Sequence, residues 1–133
     1  MTSKVVYLGN LRTECTHEQS GNSFITDAPT DNNGQGMAFS PTDTVATGLA
    51  SCMITVMGIK ARDFNVELKG TTAEVTKIMS SNPRRISKIE VILNLPVQAD
   101  EKSQIILENT GRTCPVLQSL HPDIEKDITF NWS

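Results

Sequence analysis

The sequence predicts one domain that mixes strands and helices in the order ββ, α, ββ, αα, β. Stretches rich in β-branched residues flank turn signals near the start of the chain and again after residue 64. Helix-start signals precede an almost uncharged run at residues 40–59 and a second helical stretch after residue 100. At 133 residues, the chain is most simply a single domain, residues 1–133, with one shared core.

Composition excludes several classes of protein. The net charge is -3 and the basic residues are scattered apart from Arg84 and Arg85, so we expect no nucleic-acid partner. The start "MTSKVVYLGN" lacks the features of a secretory signal, which predicts a cytoplasmic protein. The uncharged run is too short to span a bilayer, so we expect a core helix and no membrane partner.

The first elements are expected to form a hairpin. Residues 4–17, "KVVYLGNLRTECTH", have strand composition, "EQSGN" is a turn signal, and "SFITDAP" resumes the β pattern. In the second half of the first strand, one face is shared by Leu11, Thr13, Cys15 and His17, because strand side chains alternate. The glycine-rich and asparagine-rich loop "PTDNNGQG" then ends the regular structure.

The segment "SPTDTVATGLASCMITVMGI", residues 40–59, predicts a capped central helix. Ser40 suits the N-cap, Pro41 suits the first helical position, and Asp43 completes a capping box. Apolar residues occupy nearly every side of this helix, so we expect it to be enclosed by sheet or by another subunit. Gly48 and Gly58 are interpreted as places where another backbone comes close.

A second hairpin and three further elements follow. The strands "FNVELKGTTAEVTKIM" and "ISKIEVILNLPV" are joined by the turn "SSNPRR", and the second has an apolar face made of Ile89, Val91, Leu93 and Leu95. Asp100 and Gly111 bracket a helix, Pro115 begins a short third helix, and "DITFNW" closes the chain as a strand.

Three cysteines at wide spacing match neither a disulfide scaffold nor a zinc site, so we expect free thiols and no metal or cofactor. Cys114 occupies a predicted N-cap, where backbone N–H groups favour a thiolate. Cys52 lies deep within its helix and by itself is indistinguishable from a buried packing residue. Cys15 and His17 form a weaker nucleophile and base pair, because a histidine on a strand face is more often structural.

Two segments resemble the osmotically inducible protein C and organic hydroperoxide resistance (OsmC/Ohr) family. "SPTDTVATGLASCM" is similar to the family's first cysteine segment, and "TCPVLQSL" resembles its second, about sixty residues later. The order of elements also agrees over nearly the whole chain. The resemblance implies an α+β fold that forms an intertwined homodimer, with a long central helix packed on antiparallel sheet.

The resemblance also implies a thiol-dependent peroxidase acting on small organic hydroperoxides. Cys52 would attack the peroxide and become a sulfenic acid, Cys114 would form a disulfide with it, and a dithiol such as dihydrolipoamide would reduce the pair. Family peroxidases use a Glu near the helix start and an Arg from the amino-terminal region. Asp43 or Thr42 would replace that Glu here, although Asp43 also has a sufficient explanation as a helix cap. The candidate arginines are Arg12, Arg62, Arg84, Arg85 and Arg112.

Two other functions stay open at the level of sequence. The first is a non-enzymatic dimer of the same fold that binds a small apolar ligand and whose cysteines are structural or vestigial. The second is a hydrolase or transferase that uses Cys52, although no general base has suitable spacing.

Overall fold

The computed structural model describes all residues from Met1 to Ser133 and has an α+β fold, as predicted. The chain divides into two compact units, Met1–Val45 and Ala46–Ser133, which are described in turn. The strands are β1 (Ser3–Gly9), β2 (Arg12–His17), β3 (Ser23–Asp27), β4 (Thr72–Ser80), β5 (Arg85–Leu95) and β6 (Glu125–Trp132); the helices are α1 (Pro41–Ala61), α2 (Glu101–Gly111) and α3 (Pro115–Ser119).

The first unit contains a three-stranded antiparallel sheet in the order β1-β2-β3. The prediction of one strand over residues 4–17 is wrong, because the chain reverses between Gly9 and Leu11. Gly9, Asn10 and Leu11 all have positive φ angles, 85°, 54° and 62°. Gly and Asn tolerate this left-handed region, so the Gly-Asn pair was the available turn signal.

The predicted capping box at the start of α1 is confirmed. The backbone N–H of Ser40 donates to Asp43 Oδ2 at 2.9 Å, and the N–H of Asp43 donates to Ser40 Oγ at 3.1 Å. Pro41 is the first helical residue. Two N–H groups without intrahelical partners are thereby satisfied at the start of the longest helix in the chain.

The second unit contains a sheet in the order β4-β5-β6. Strands β4 and β5 are antiparallel, whereas β5 and β6 are parallel because α2 and α3 form the crossover between them. Strand β4 begins at Thr72, so the prediction that the strand starts near Phe64 is wrong. A short 3₁₀ helix, Arg62–Phe64, and a turn occupy that segment instead.

The core of the second unit forms between α1 and one face of β5. Residues of α1 spaced three or four apart are buried: Ala46, Leu49, Ala50, Met53, Met57 and Ala61. The predicted apolar face of β5 is confirmed, since Ile89, Val91, Leu93 and Leu95 are all at most 1% exposed. A methyl group on Gly48 or Gly58 would meet no atom within 4 Å, so the expected close backbone approach at these glycines is not found in this chain.

By length and composition alone, the helical stretch Pro41–Phe64 is sufficient to cross a membrane, which corrects the expectation that it is too short. The core helix of a soluble protein meets the same criterion. Residues Leu49, Met53 and Met57 of this helix have 0–1% of their surface exposed, as in a protein core.

Polar contacts stabilise the start of α2 and join its last turns to the sheet of the second unit. Asp100 caps α2 by accepting the N–H of Ser103 at 2.7 Å, and this bond lowers the pKa of the Asp100 carboxyl. Trp132 Nε1 of β6 donates to Glu108 Oε2 of α2 at 2.8 Å. The end of α2, which leads to Cys114, is therefore held against the sheet.

Candidate active site

Cys52 and Cys114 meet within the second unit. Cys52 lies on α1, and Cys114 lies at the corner between α2 and α3. The two thiols interact, because the thiol of Cys52 raises the pKa of the Cys114 thiol. Two thiols that are 62 residues apart in the sequence (114 − 52) are thus adjacent in the fold, and both are free.

The two thiols differ in exposure. Cys114 is 1% exposed, whereas Cys52 is half-buried. A reagent arriving from solvent is therefore expected to meet Cys52 before Cys114. A thiol that is both accessible and in contact with a second thiol has the arrangement of a redox pair in which one sulfur reacts and the other closes the disulfide.

Cys114 is the N-cap of α3, as predicted. Its φ and ψ are -64° and 153°, and its sulfur accepts the N–H of Leu117 at 3.4 Å. Pro115 follows as the first helical residue, where a missing N–H has no cost.

The expectation of a low pKa for Cys114 is wrong. Burial raises the pKa of this thiol and the neighbouring thiol of Cys52 raises it further, whereas the N–H groups of Leu117 and Val116 lower it by less. Removing a thiolate from water is costly, and long N–H···S bonds at the start of a five-residue helix do not compensate for that loss. Cys114 is therefore a protonated thiol at neutral pH.

The corner that carries Cys114 is fixed on both sides. The N–H of Cys114 donates to the carbonyl of Gly111 at 3.3 Å. Two residues earlier, Cζ of Arg112 lies over the ring of Phe130, 5.1 Å from its centroid. The guanidinium of Arg112 also donates to the carbonyl of Ile128 at 3.4 Å. These contacts join the corner to β6 and restrict where the sulfur can lie.

The candidate acid and arginines have identifiable surroundings. Asp43 accepts a hydrogen bond in the capping box of α1. Arg12, on β2, forms an ion pair with Asp27 Oδ2 at 3.4 Å. Arg112 contacts Phe130. Arg62 begins the 3₁₀ helix after α1, Arg84 lies in the turn between β4 and β5, and Arg85 is the first residue of β5.

Asp27 was not singled out by the sequence. Its side chain is 1% exposed, and Oδ2 accepts the N–H of Met37 at 3.1 Å as well as the bond from Arg12, whereas Oδ1 is buried without a partner. Its position as the last residue of a strand carried no signal that it would be buried.

Cys15 and His17 have separate partners. Cys15 is half-buried, with its sulfur 3.7 Å from Thr13 Oγ1. His17 Nδ1 lies 2.6 Å from Ser20 Oγ, in the turn after β2. The imidazole is thus engaged with its own turn, which agrees with the structural interpretation of this histidine. No group of three or more His, Cys, Asp and Glu side chains in Met1–Ser133 could hold a metal ion.

Comparison with known proteins agrees with the fold and with both cysteine segments. The sequence model for the OsmC-like protein family matches residues 34–129, which include Cys52 and Cys114. The chain belongs to the OsmC family. No curated protein matches it by sequence.

Solved structures of OsmC proteins have the same fold. One is a protein of Psychrobacter arcticus 273-4 to which induction by osmotic stress and a detoxification response are ascribed. Its sequence is 53% identical and its TM-score is 0.95, over 98% of this chain and 96% of its own. An OsmC-like protein of Mycoplasma pneumoniae is 17% identical with a TM-score of 0.77, over 98% and 94%. The organic hydroperoxide resistance protein OsmC of Legionella pneumophila is 15% identical with a TM-score of 0.72, over 97% and 94%.

Proposed function

We propose that this OsmC protein is a thiol-dependent peroxidase that reduces organic hydroperoxides through Cys52 and Cys114. The observation that supports the proposal is the contact between a half-buried thiol and a fully buried one. Membership of a family that includes proteins named for organic hydroperoxide resistance, such as the one from Legionella pneumophila, supports the choice of substrate.

In the first step, the thiolate of Cys52 attacks the terminal peroxide oxygen. The O–O bond breaks, an S–O bond forms, and the alkoxide takes a proton to leave as an alcohol. Cys52 becomes a sulfenic acid, and the peroxide is reduced by two electrons. Cys52 is assigned this step because it is the more exposed residue of the pair.

In the second step, the sulfur of Cys114 attacks the sulfenic sulfur of Cys52. The S–S bond forms as the S–O bond breaks, and the hydroxyl leaves as water with the proton of Cys114. Because the pKa of Cys114 is raised, this proton is still present at neutral pH, and the thiol must release it to form the attacking thiolate; the hydroxyl that leaves takes up one proton in return.

In the third step, a dithiol reductant attacks the sulfur of Cys52 and releases Cys114. The more exposed sulfur of a disulfide is the one a reductant reaches, and Cys114 is enclosed. The N–H groups of Leu117 and Val116 point to the departing sulfur and stabilise its developing charge. A second thiol of the reductant then completes its own disulfide. A lipoyl-type dithiol such as dihydrolipoamide is the proposed reductant.

The proposed working form is a homodimer in the cytoplasm. Large apolar side chains of the first unit are exposed by 50–72%: Val5, Tyr7, Phe24, Met37 and Phe39. We propose that a second copy of the chain covers these side chains, because exposed apolar patches on soluble proteins mark interaction surfaces. Sedimentation should then give twice the chain mass of 14.5 kDa, and a monomer at micromolar concentration would contradict this part of the proposal.

Thiol counting tests the activity. The reduced protein, freed of reductant, is treated with one equivalent of cumene hydroperoxide, and free thiols per chain are measured before and after. We expect a decrease from three to one in the wild type. Cys52→Ser should lose none, and Cys114→Ser should stop at the sulfenic acid.

Cys15→Ser is the matched control, because it removes a third free thiol that takes no part in the proposed reaction. This variant should lose two thiols as the wild type does. Loss of reactivity in Cys15→Ser would show that the wrong sulfurs have been paired. Unchanged thiols in the wild type would refute the peroxidase and favour a non-enzymatic protein that binds an apolar ligand.

A further inference from the structure

Gly111 lies where the end of α2 packs on α1. It is buried, and a methyl group built on it would lie 2.8 Å from Met57 Sδ, 3.2 Å from Met57 Cγ and 3.6 Å from Met53 Cε. Real carbon contacts below 3.0 Å do not occur without displacement of one partner. Any residue other than glycine at this position must therefore move either the methionines or α2.

The two methionines that face Gly111 are enclosed by the core. Met53 is 0% exposed and Met57 is 1% exposed, and both lie on the buried face of α1 among the core residues. Close-packed cores contain few voids that would accept a displaced thioether. A new methyl group therefore displaces the thioether of Met57, shifts α2 away from α1, or does both.

Such a shift would reach the sulfur of Cys114 directly. The carbonyl of Gly111 accepts the N–H of Cys114 at 3.3 Å, and the N–H of Thr113 donates to Thr110 at 3.2 Å. The corner between Gly111 and Cys114 is thus a single hydrogen-bonded turn. On the other side of the contact, Met53 is the neighbour of Cys52 on α1. Separation of the helices at Gly111 consequently separates the two sulfurs.

We infer that Gly111 is a positioning residue for closure of the Cys52–Cys114 disulfide. The inference rests on the proposed function, because that function makes disulfide closure a step of the reaction. The effect of Gly111 on the distance between the two sulfurs does not depend on peroxide chemistry. Disulfide formation requires Cα atoms within about 7 Å and suitably directed Cβ atoms. Attack of Cys52 on peroxide makes no such demand on α2. The two steps should therefore respond differently to a change at Gly111.

The test is single-turnover oxidation of Gly111→Ala with cumene hydroperoxide. Formation of the sulfenic acid is followed by trapping with dimedone and mass spectrometry, and closure is followed by loss of the second thiol. We expect the first rate to stay within about twofold of the wild type and the second to decrease by about tenfold to a hundredfold. With excess peroxide, the variant should accumulate sulfinic acid at Cys52, because the unresolved sulfenic acid is oxidised further.

Three variants serve as controls. Gly58→Ala makes the same chemical change on α1 where no atom lies within 4 Å, and Asn109→Ala changes an exposed residue of α2. Both should close as fast as the wild type. Met57→Ala removes the atoms that the new methyl group would strike, so Gly111→Ala with Met57→Ala should close about as fast as Met57→Ala alone.

Oxidation with diamide separates this inference from the proposed function. Diamide takes two electrons from a thiol pair and becomes a hydrazine, so it closes the disulfide without peroxide chemistry. Slow closure of Gly111→Ala with diamide, together with rescue by Met57→Ala, supports the inference even if the wild type fails to react with peroxide.

The inference would be overturned if Gly111→Ala closed its disulfide with diamide at the wild-type rate. It would also be overturned if, with peroxide, the variant formed the sulfenic acid and closed the disulfide more slowly by the same factor. If Gly111→Ala does not fold by circular dichroism, the double variant decides. Its closure at the rate of Met57→Ala supports the inference, and slower closure contradicts it.

Discussion

Replacing Cys114 by serine or by alanine should separate its structural role from its chemical one. Both changes remove the redox sulfur, but only serine keeps an acceptor for the N–H of Leu117 at the start of α3. Serine is among the best N-cap residues, and alanine is among the poorest. The difference in stability between the two variants therefore reports the cap together with any void that alanine leaves.

The expected magnitude follows from the geometry of the site. Loss of an N-cap acceptor costs about 1 kcal/mol, within a range of about 0.5 to 2 kcal/mol. Alanine also leaves a small void, because Cys114 is 1% exposed and the space of its sulfur stays empty. We expect Cys114→Ala to be less stable than Cys114→Ser by about 1 to 2 kcal/mol, which corresponds to about 3–8 °C in melting temperature for a chain of this length.

Urea unfolding of the fully reduced variants, followed by circular dichroism, gives the comparison. The slope against urea should be equal in the two variants, so that the shift in midpoint reports stability alone. An alanine variant as stable as the serine variant would refute the argument that the sulfur caps α3. In that case the bond from Leu117 would be a contact without energetic consequence.

Two further predictions concern the proton on Cys114 and the cap of α1. Burial raises the pKa of Cys114, and its thiolate is the attacking form, so closure of the disulfide should accelerate by up to about tenfold per pH unit between about pH 6 and pH 8. Stopped-flow measurement of the loss of the second thiol gives this rate. A rate that does not depend on pH would contradict the prediction. Asp43→Ala and Ser40→Ala each remove one half of the capping box and should each lower the free energy of unfolding by about 1 kcal/mol. If both variants react with peroxide equally fast, Asp43 acts only as a cap; if Asp43→Ala alone is slow, its carboxylate takes part in the chemistry.

Features that depend on neighbours within about four residues were predictable from the sequence. The caps at Ser40, Asp100 and Cys114 are confirmed, because a cap needs only a side-chain oxygen or sulfur and the N–H groups that follow it. The apolar face of β5 is confirmed for a similar reason, since alternation alone decides which residues share a face. The two cysteine segments were also recognisable, because each carries its pattern locally.

The tertiary structure decided what depends on distant residues. The contact between Cys52 and Cys114, and the burial that raises the pKa of Cys114, both arise where α1 meets the corner after α2. The local sequence shows the N–H groups that favour a thiolate but not the loss of water that outweighs them. Gly111 likewise reads as a helix end, and only the packing of Met57 against it shows that a methyl group at this position would displace a neighbour. Dehydration and close packing are properties of assembled elements, so they become visible only when α1 and α2 are placed together.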